Sequence, residues 1–521
     1  MITRSLLTLL LYGLSLCTGA RILAIFPFEL KSHRGVLEPI IEELAVKGHH
    51  VDVISTFKLS KNLPNYTNIL TLPTSKEPPK ILYSDNYTPY DDYVWLVKVN
   101  NRVCNLLGHP VISELIKNPP KNPPYDLLIV HILSGYQCMS AIGVALDIPV
   151  VGVMTTLPYP QMEHYLHNPL HLAGMSRHCR SFEENFGFWG RLYNVVMTNY
   201  YITHHYKHAD AQDHYIKKYL GPNMPSYREI EKSYSLIFSN SHYLYHGVKP
   251  KVPGLIEIGG INVMNDTSPM DPKLKKVLDE SKDGFIYFSF GSVVVVESLP
   301  HEIVDKFYST IRKVAPIRVI LKSSNPETLP KNLPKNVFTF PWLPQQKVLQ
   351  HPNIKAFVAH GGALGTLEAI YYRVPMICVP FFAEQYVNCD ISKHRNISLK
   401  LDIKTAVQKD YDYVFSQILT NPFYKQSINK FSALYWDRPQ SPREAVTYWV
   451  EFVLRHGKDV LRTQGLALNW WQLELLDVYV FLITCALTTV LIVCLIARKI
   501  LRLFLQVRSM SSIVKSSKKL M

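Results

Sequence analysis

A chain of 521 residues with 47% hydrophobic side chains is long enough for two or three domains, and its composition fits globular cores plus a membrane segment. The formal net charge is +15, but Arg498, Lys499, Arg502, Arg508, Lys515, Lys518 and Lys519 supply seven of those charges in a tail with no acidic residue. The basic balance is therefore partly a topology signal and does not imply nucleic acid.

Residues 1–20 read as a signal peptide: Arg4, an apolar core over 6–16, then Cys-Thr-Gly-Ala for cleavage. Residues 21–28 (RILAIFPF) form an apolar strand, followed by a loop carrying Ser32 and His33. An amphipathic helix over 35–47 and a strand over 50–55 complete a β-loop-α-β unit. It is Rossmann-like in period but lacks GxGxxG, which argues against a nicotinamide or flavin dinucleotide. Further strands are expected at 127–130 and 149–154, and the last of this domain at 236–240. Residues 159–219 are rich in Tyr, His, Phe and Met. The first domain is placed at 21–250 and a Pro/Gly-containing linker at 251–283.

The second domain, 284–435, contains the most informative stretch, 338–388. A buried strand (354–359) runs into the turn His360-Gly361-Gly362, then a helix ending before Pro375 and another strand (376–379). Such a helix N-terminus offers free N–H groups and the positive end of a dipole to a diphosphate. Trp342, on a Pro-flanked loop, offers an indole face for a nucleobase, and Glu368 can accept two ribose hydroxyls. Residues 436–468 should be helical and amphipathic. Residues 478–497 are uncharged and span ~30 Å as a helix, the thickness of a bilayer core. The segment 498–521 is then a cytosolic basic tail. Of the eight cysteines, Cys17 lies in the leader and Cys485 and Cys494 in the membrane segment. The other five show no metal-ligand spacing and no disulfide framework, though one bridge stays open.

These segments closely resemble the donor-binding signature of the family 1 UDP-glycosyltransferases, of the membrane-bound animal type and invertebrate-like in detail. The resemblance runs from Ile22 to about Asp477. It includes Phe288-Ser289-Phe290-Gly291-Ser292 and the segment from Asp437-Arg438-Pro439 through Trp449-Val450-Glu451. It implies an α/β GT-B fold, two Rossmann-like domains facing a cleft, with a C-terminal transmembrane helix after residues 436–477 return to the first domain. The implied reaction is inverting transfer from a UDP-sugar, UDP-glucose by the invertebrate-like pattern, to a small lipophilic aglycone shaped by 159–219. No metal or other cofactor is expected; the UDP-sugar is a co-substrate. Position by position, Trp342 stacks uracil, Gln345 supports the nucleoside and Glu368 holds ribose. Ser292, His360, Gly362 and Thr366 face the phosphates, and Glu384 with Gln385 reads sugar hydroxyls. Three positions depart from the usual pattern: Leu364, Glu384 and Ile320-Leu321-Lys322.

His33 matches the family's catalytic base, but His131 stands where the family has a carboxylate. Asp126 lies ~16 Å earlier along the strand and cannot substitute; Glu29 and Glu163 are the nearest alternatives in view. A neutral imidazole can orient His33 but does not stabilise an imidazolium as a carboxylate does. The competing readings are a donor-binding protein with little turnover and a structural membrane glycoprotein. The leader, the spanning helix and Lys518-Lys519, which resembles a dilysine retrieval signal, imply a type I protein of the endoplasmic reticulum membrane with lumenal domains. Asn65, Asn86, Asn265 and Asn396 are sequons for N-glycosylation. Assembly into homo- or hetero-oligomers is left open by the sequence.

Overall fold

Continuous apolar runs set the architecture. RILAIF, LLIVH, FIYFS and IKAFVA are buried over almost their whole length, as strands are when helices cover both faces of a parallel sheet. The computed structural model describes residues 19–59, 61–74, 101–133, 135–173, 187–265, 267–292 and 294–517. Residues 1–18 of the predicted leader, Asn86, Cys179 and Lys518-Lys519 lie outside the described residues.

The first sheet has seven strands: β1 (Arg21–Phe26), β2 (His50–Ser55), β3 (Tyr66–Thr71), β4 (Leu127–His131), β5 (Val150–Met154), β6 (Tyr234–Ser239) and β7 (Leu255–Glu257). Their order is β3-β2-β1-β4-β5-β6-β7, every pairing parallel. The second has six: β8 (Phe285–Ser289), β9 (Arg318–Lys322), β10 (Val337–Phe340), β11 (Ile354–Ala359), β12 (Met376–Cys378) and β13 (Ser398–Lys400). Their order is β10-β9-β8-β11-β12-β13, again all parallel. Strand order reverses between β1 and β4 in one sheet and between β8 and β11 in the other. Chains leaving adjacent strands there diverge, and the crevice between them is where open α/β sheets bind ligands.

The helices needed below are α1 (Lys31–Val46), α2 (Gln345–Gln350), α3 (Ala363–Tyr371), α4 (Gln385–His394), α5 (Pro422–Trp436), α6 (Pro442–His456) and α7 (Leu476–Ser517). Helix α6 starts on a capping box, Ser441 with Glu444, and ends at Gly457 (φ +91°). Its Ala445, Val446, Val450 and Val453 join the core that α1 makes with the first sheet. Arg443 lies 3.6 Å from Glu42 and 3.8 Å from Glu43 on α1.

Several expectations are corrected. Helix α1 begins at Lys31, so His33 sits in its first turn and not on a loop. The stretch read as a linker contains β7, which extends the first sheet past β6 because Ile237, Phe238 and Ser239 still have an open edge. The helical expectation over 436–468 holds in part: Trp436 ends α5, α6 covers Pro442–His456, and a short 3-10 turn covers Gln464–Ala467. Two disulfides exist where no framework was indicated, Cys104–Cys138 and Cys378–Cys389. Each joins residues on different elements that only the fold brings together.

From Thr463 the chain forms a separate unit. Among its described residues, Leu476–Arg508 is long and apolar enough to cross a membrane, with mean hydropathy 2.8. Helix α7 runs on to Ser517, beyond the predicted span.

Candidate active site

Both switch points open on one cavity of about 960 Å³. On the second sheet, β8 ends at Ser289 and the chain turns at Gly291, whose φ of +78° suits glycine. Beside it β11 ends at Ala359 and delivers His360. A Cβ on Gly291 would lie 2.7 Å from His360 Cε1, and one on Gly362 2.5 Å from its Nε2. Two glycines therefore leave the slot that the imidazole fills. Burial and the nearby Lys322 ammonium hold His360 down to about 4, so its ring is neutral at pH 7. Its Nδ1 is buried and has no hydrogen-bond partner among the described residues.

Gly362 is the N-cap of α3 and has no side chain to close it. The first-turn N–H groups of Ala363, Leu364 and Gly365 lack intrahelical acceptors, and all three residues line the cavity. Lys322, at the end of β9, donates to the Gly291 carbonyl. Its ammonium lies 5.1 Å from the centre of the Trp342 indole, and Lys31 on α1 lies 4.3 Å from it. Trp342 is 56% exposed, a platform with two cations already at its π-system. Burial and Lys31 lower the Lys322 pKa.

Glu368 is buried, and both its oxygens are already held. Oε2 accepts from Gln345 Nε2 at 2.6 Å and Oε1 from Asn262 Nδ2 at 2.8 Å. Desolvation pushes its carboxyl up to about 7 against those hydrogen bonds. A carboxylate has about four acceptor sites, so these hydrogen bonds do not exhaust its capacity for a ligand hydroxyl. Gln345 is itself fixed by the Tyr287 hydroxyl, 3.2 Å from Oε1. Glu384 lines the cavity at the N-terminus of α4, and burial raises its pKa. Gln385 is pinned through Oε1 by the backbone N–H groups of Phe381 and Phe382. Its amide nitrogen is the end left for a ligand. Ser292 lines the cavity. Thr366 does not: as the fourth residue of α3 it has rotated away from the cleft and lies buried, its N–H closing the first helical bond onto Gly362.

On the first sheet, β1 delivers Phe28 and His33, β4 delivers His131, and β5 delivers Thr155. His33 Nδ1 is hydrogen-bonded to Thr155 Oγ1, and that same oxygen is 3.1 Å from His131 Nε2. The two imidazoles do not touch through polar atoms; their ring centres are 5.4 Å apart in a T-shaped pair. Phe28 packs 4.3 Å from the His33 ring and 5.7 Å from that of His131, with Tyr136 at 5.9 Å from the latter. Desolvation holds His33 down to about 3, and desolvation together with His33 holds His131 well below the ordinary imidazole value. The positive end of α1 adds to the cost of an imidazolium at His33. His33 and Thr155 line the cavity; His131 is fully buried behind them.

A family model described as "UDP-glucoronosyl and UDP-glucosyl transferase" matches residues 122–510. The chain belongs to this UDP-glycosyltransferase family. It is 30% identical to UDP-glycosyltransferase UGT5 of Dactylopius coccus, over 92% of each chain. It is 29% identical to UDP-glucosyltransferase 2 of the same organism, over 92% of this chain and 93% of the relative. With a UDP-glucuronosyltransferase of Pleuronectes platessa it shares 30%, over 78% and 84%. Among solved structures it resembles LpCGTa in complex with UDP, with a TM-score of 0.55 at 12% identity, covering 83% of this chain and 99% of that one. The glycotransferase of kitacinnamycin gives a TM-score of 0.56 at 14% identity, over 84% and 99%. The fold is GT-B, the protein is a glycosyltransferase, and its donor is a UDP-sugar.

Three residues of the transferase's cavity escaped the sequence reading. Asn262 lay in the presumed linker, and its Oδ1 is buried with no partner among the described residues. Lys322 registered only as a departure from pattern. Thr155 was invisible because it meets His33 across 122 positions; the one signal was a Thr-Thr pair at the C-terminal end of an apolar strand, where cleft residues arise. Glu163 is excluded as a charge partner for His33: its buried carboxylate is 2.6 Å from Lys249 and also accepts from Asn168 at 2.5 Å.

Proposed function

We propose that this transferase moves glucose, with inversion, from UDP-glucose to a hydroxyl of a small lipophilic acceptor, with His33 as general base. The acceptor oxygen bonds to the anomeric carbon as the bond to the diphosphate oxygen breaks. The acceptor proton passes to His33 Nε2, and the electron pair leaves with UDP. The observation that carries this reading is that His33 and the uncapped N-terminus of α3 line the same cavity. Trp342 takes uracil, Glu368 the ribose, and the α3 amides with His360, Lys322 and Ser292 the diphosphate. With those groups carrying the leaving charge, the proposal needs no metal. Glu384 and the Gln385 amide meet the sugar hydroxyls; a carboxylate there suits a neutral hexose better than an acidic one, in keeping with the name of the glucosyltransferase relative.

The acceptor side supports a flat apolar aglycone, since Phe28, Leu133, Tyr136, Tyr159 and Tyr201 line it. A neutral, weakly basic His33 favours acceptors that part readily with a proton, phenols before alcohols. One observation favours a second reading, a donor-binding member with little turnover: His33 leans on a hydroxyl and a neutral ring, with His131 at the usual carboxylate position. Helix α7 supports a single membrane anchor; the type I orientation and the endoplasmic reticulum extend that reading from the basic tail. Of the described sequons, Asn265 is exposed, whereas Asn65 Nδ2 is engaged with the Ala45 carbonyl at 3.1 Å and the Asn396 site has its serine, Ser398, buried.

The deciding experiment offers UDP-glucose, UDP-glucuronate and UDP-galactose to the membrane-embedded protein with a panel of phenols and alcohols, with mass detection of conjugates. Glucosides of phenols are expected, also in the presence of EDTA. UDP binding with no conjugate from any pair would establish the second reading instead.

A further inference from the structure

We propose that Thr155 is a positioning residue for sugar transfer, its side-chain oxygen bridging His33 Nδ1 and His131 Nε2 so that the Nε2 lone pair of His33 is presented to the acceptor. The proposal rests on His33 being the base.

A hydroxyl has one hydrogen to give and two lone pairs to offer, so at most one of the two ring nitrogens it touches can be an acceptor, and at least one must be an N–H donor. Two polarities place the threonine hydrogen within the bridge; if both rings donate instead, that hydrogen has no partner there. In one, His131 Nε2–H donates to Thr155 and the threonine hydrogen goes to His33 Nδ1. His33 then carries its own hydrogen on Nε2 and cannot take a proton there. In the other, His33 Nδ1–H donates to Thr155, and the threonine hydrogen goes to His131 Nε2. That arrangement leaves His33 Nε2 unprotonated, and it is the reactive one. Among the described residues His131 Nδ1 has no hydrogen-bond partner, so the reactive polarity leaves it a buried N–H and the other a buried lone pair. The role of Thr155 is thus to accept from His33 Nδ1–H, which would otherwise be held against Phe28 with no acceptor, and the role of His131 is to take the threonine hydrogen.

The placement is built. Thr155 follows β5 directly, and β5 pairs with β4 so that Val153 lies opposite His131. Two residues further on, the hydroxyl arrives 3.1 Å from His131 Nε2, while the first turn of α1 brings His33 to the same oxygen. The backbone there is fixed as well, since Asn240 Nδ2 donates to the Thr155 carbonyl at 3.0 Å. Both Thr155 and His131 are buried, so water does not compete for the bridge.

Thr155→Val keeps the shape and removes the hydroxyl; Thr155→Ser keeps the hydroxyl and removes the methyl. With a phenol acceptor, Thr155→Val should lower kcat on the order of 10²-fold, with the donor KM and UDP affinity unchanged, whereas Thr155→Ser stays within a few-fold of the parent. A second readout needs no turnover. Diethyl pyrocarbonate attacks an unprotonated imidazole nitrogen, so its rate at His33, followed by mass spectrometry of the His33 peptide, reports the free Nε2. Thr155→Val should slow it severalfold and Thr155→Ser should not. An unchanged modification rate in Thr155→Val, or equal losses in the valine and serine variants, would overturn the proposal. If the parent converts no acceptor, the general-base reading fails, while the modification rates still decide whether Thr155 sets the tautomer.

Discussion

His131 and His360 occupy corresponding places in the two halves of the molecule. Each stands at the C-terminal end of the strand that flanks the switch point, β4 in one sheet and β11 in the other. Both rings are neutral because burial strips their hydration, yet their surroundings differ. His360 lies in a slot between two glycines, open to the cavity and next to the Lys322 ammonium and the free amides of α3. His131 is packed among Phe28, Tyr136 and His33 and is hydrogen-bonded through its ring to the Thr155 hydroxyl, which lines the cleft. The donor half therefore holds fixed positive charge and donors where a diphosphate accumulates negative charge. The acceptor half has no fixed countercharge on His131 for the positive charge its base acquires. The same Rossmann-like frame is preorganised for leaving-group departure at one pole and only weakly for deprotonation at the other.

That contrast can be broken most forcefully at the base. His33→Ala should cost ~10²–10⁴-fold in kcat and leave UDP affinity at the parent value; a matching loss of UDP affinity in calorimetry would erase the division between the poles. Next in size, Lys322→Met should lower kcat by about 10²-fold, as removing one preorganised group from a developing anion does. Its KM for the acceptor should not move, and a variant that weakens only acceptor binding would place Lys322 on the wrong pole. Trp342→Ala should weaken UDP by ~1–3 kcal/mol, in the range of aromatic–base stacking. Relief of the two lysines from the indole works in the opposite direction, so a gain in affinity would mean that the Lys31 and Lys322 contacts, not uracil, are what the ring serves.

The smallest effect is on acid stability. Burial holds His33, His205, His242 and His246 to about 3 and His360 to about 4. Each takes up a proton only on unfolding once pH falls below about 6.5, so stability is lost as pH drops from there toward the folded values. Glu368, raised to about 7, and Glu231, raised to about 8, act in the opposite sense. They bind protons in the folded chain first and add stability as pH falls, until the unfolded carboxyls also protonate near 4.5. Between about pH 6.5 and 4.5 the five histidines outweigh the two carboxyls, so stability already declines there, and below 4.5 only the histidine loss remains and the decline steepens. Melting temperatures of the detergent-solubilised protein should thus fall steeply below about pH 4.5; a continued rise there would contradict the neutral-histidine picture.

Much of this was legible in the sequence, for a physical reason. The donor signature sits on consecutive elements, so Trp342, His360, Gly362 and Glu368 come together through local geometry: a strand, a glycine turn and a helix. The parallel sheets and the spanning helix followed from apolar runs. What stayed hidden depends on contacts across the sheet or between the sheets. Thr155 reaches His131 because β4 and β5 pair in a particular register. Asn262 reaches Glu368 across 106 positions, and the two disulfides join elements whose proximity no spacing rule encodes. Thr366 erred the other way: motif position put it at the phosphates, whereas helical rotation turns it inward.

The most direct test of the account is how kcat/KM depends on acceptor acidity, measured with substituted phenols and benzyl alcohols in the parent and in His131→Asp. An aspartate at this position is an obligate acceptor, so it would draw the Thr155 hydrogen and fix the polarity that frees His33 Nε2, while adding the missing negative charge. The account predicts a steep fall in log kcat/KM with rising acceptor pKa in the parent and a shallower fall in His131→Asp, the gain being largest for the alcohols. A parent whose rate is indifferent to acceptor pKa, or identical slopes in the two folded proteins, would contradict it.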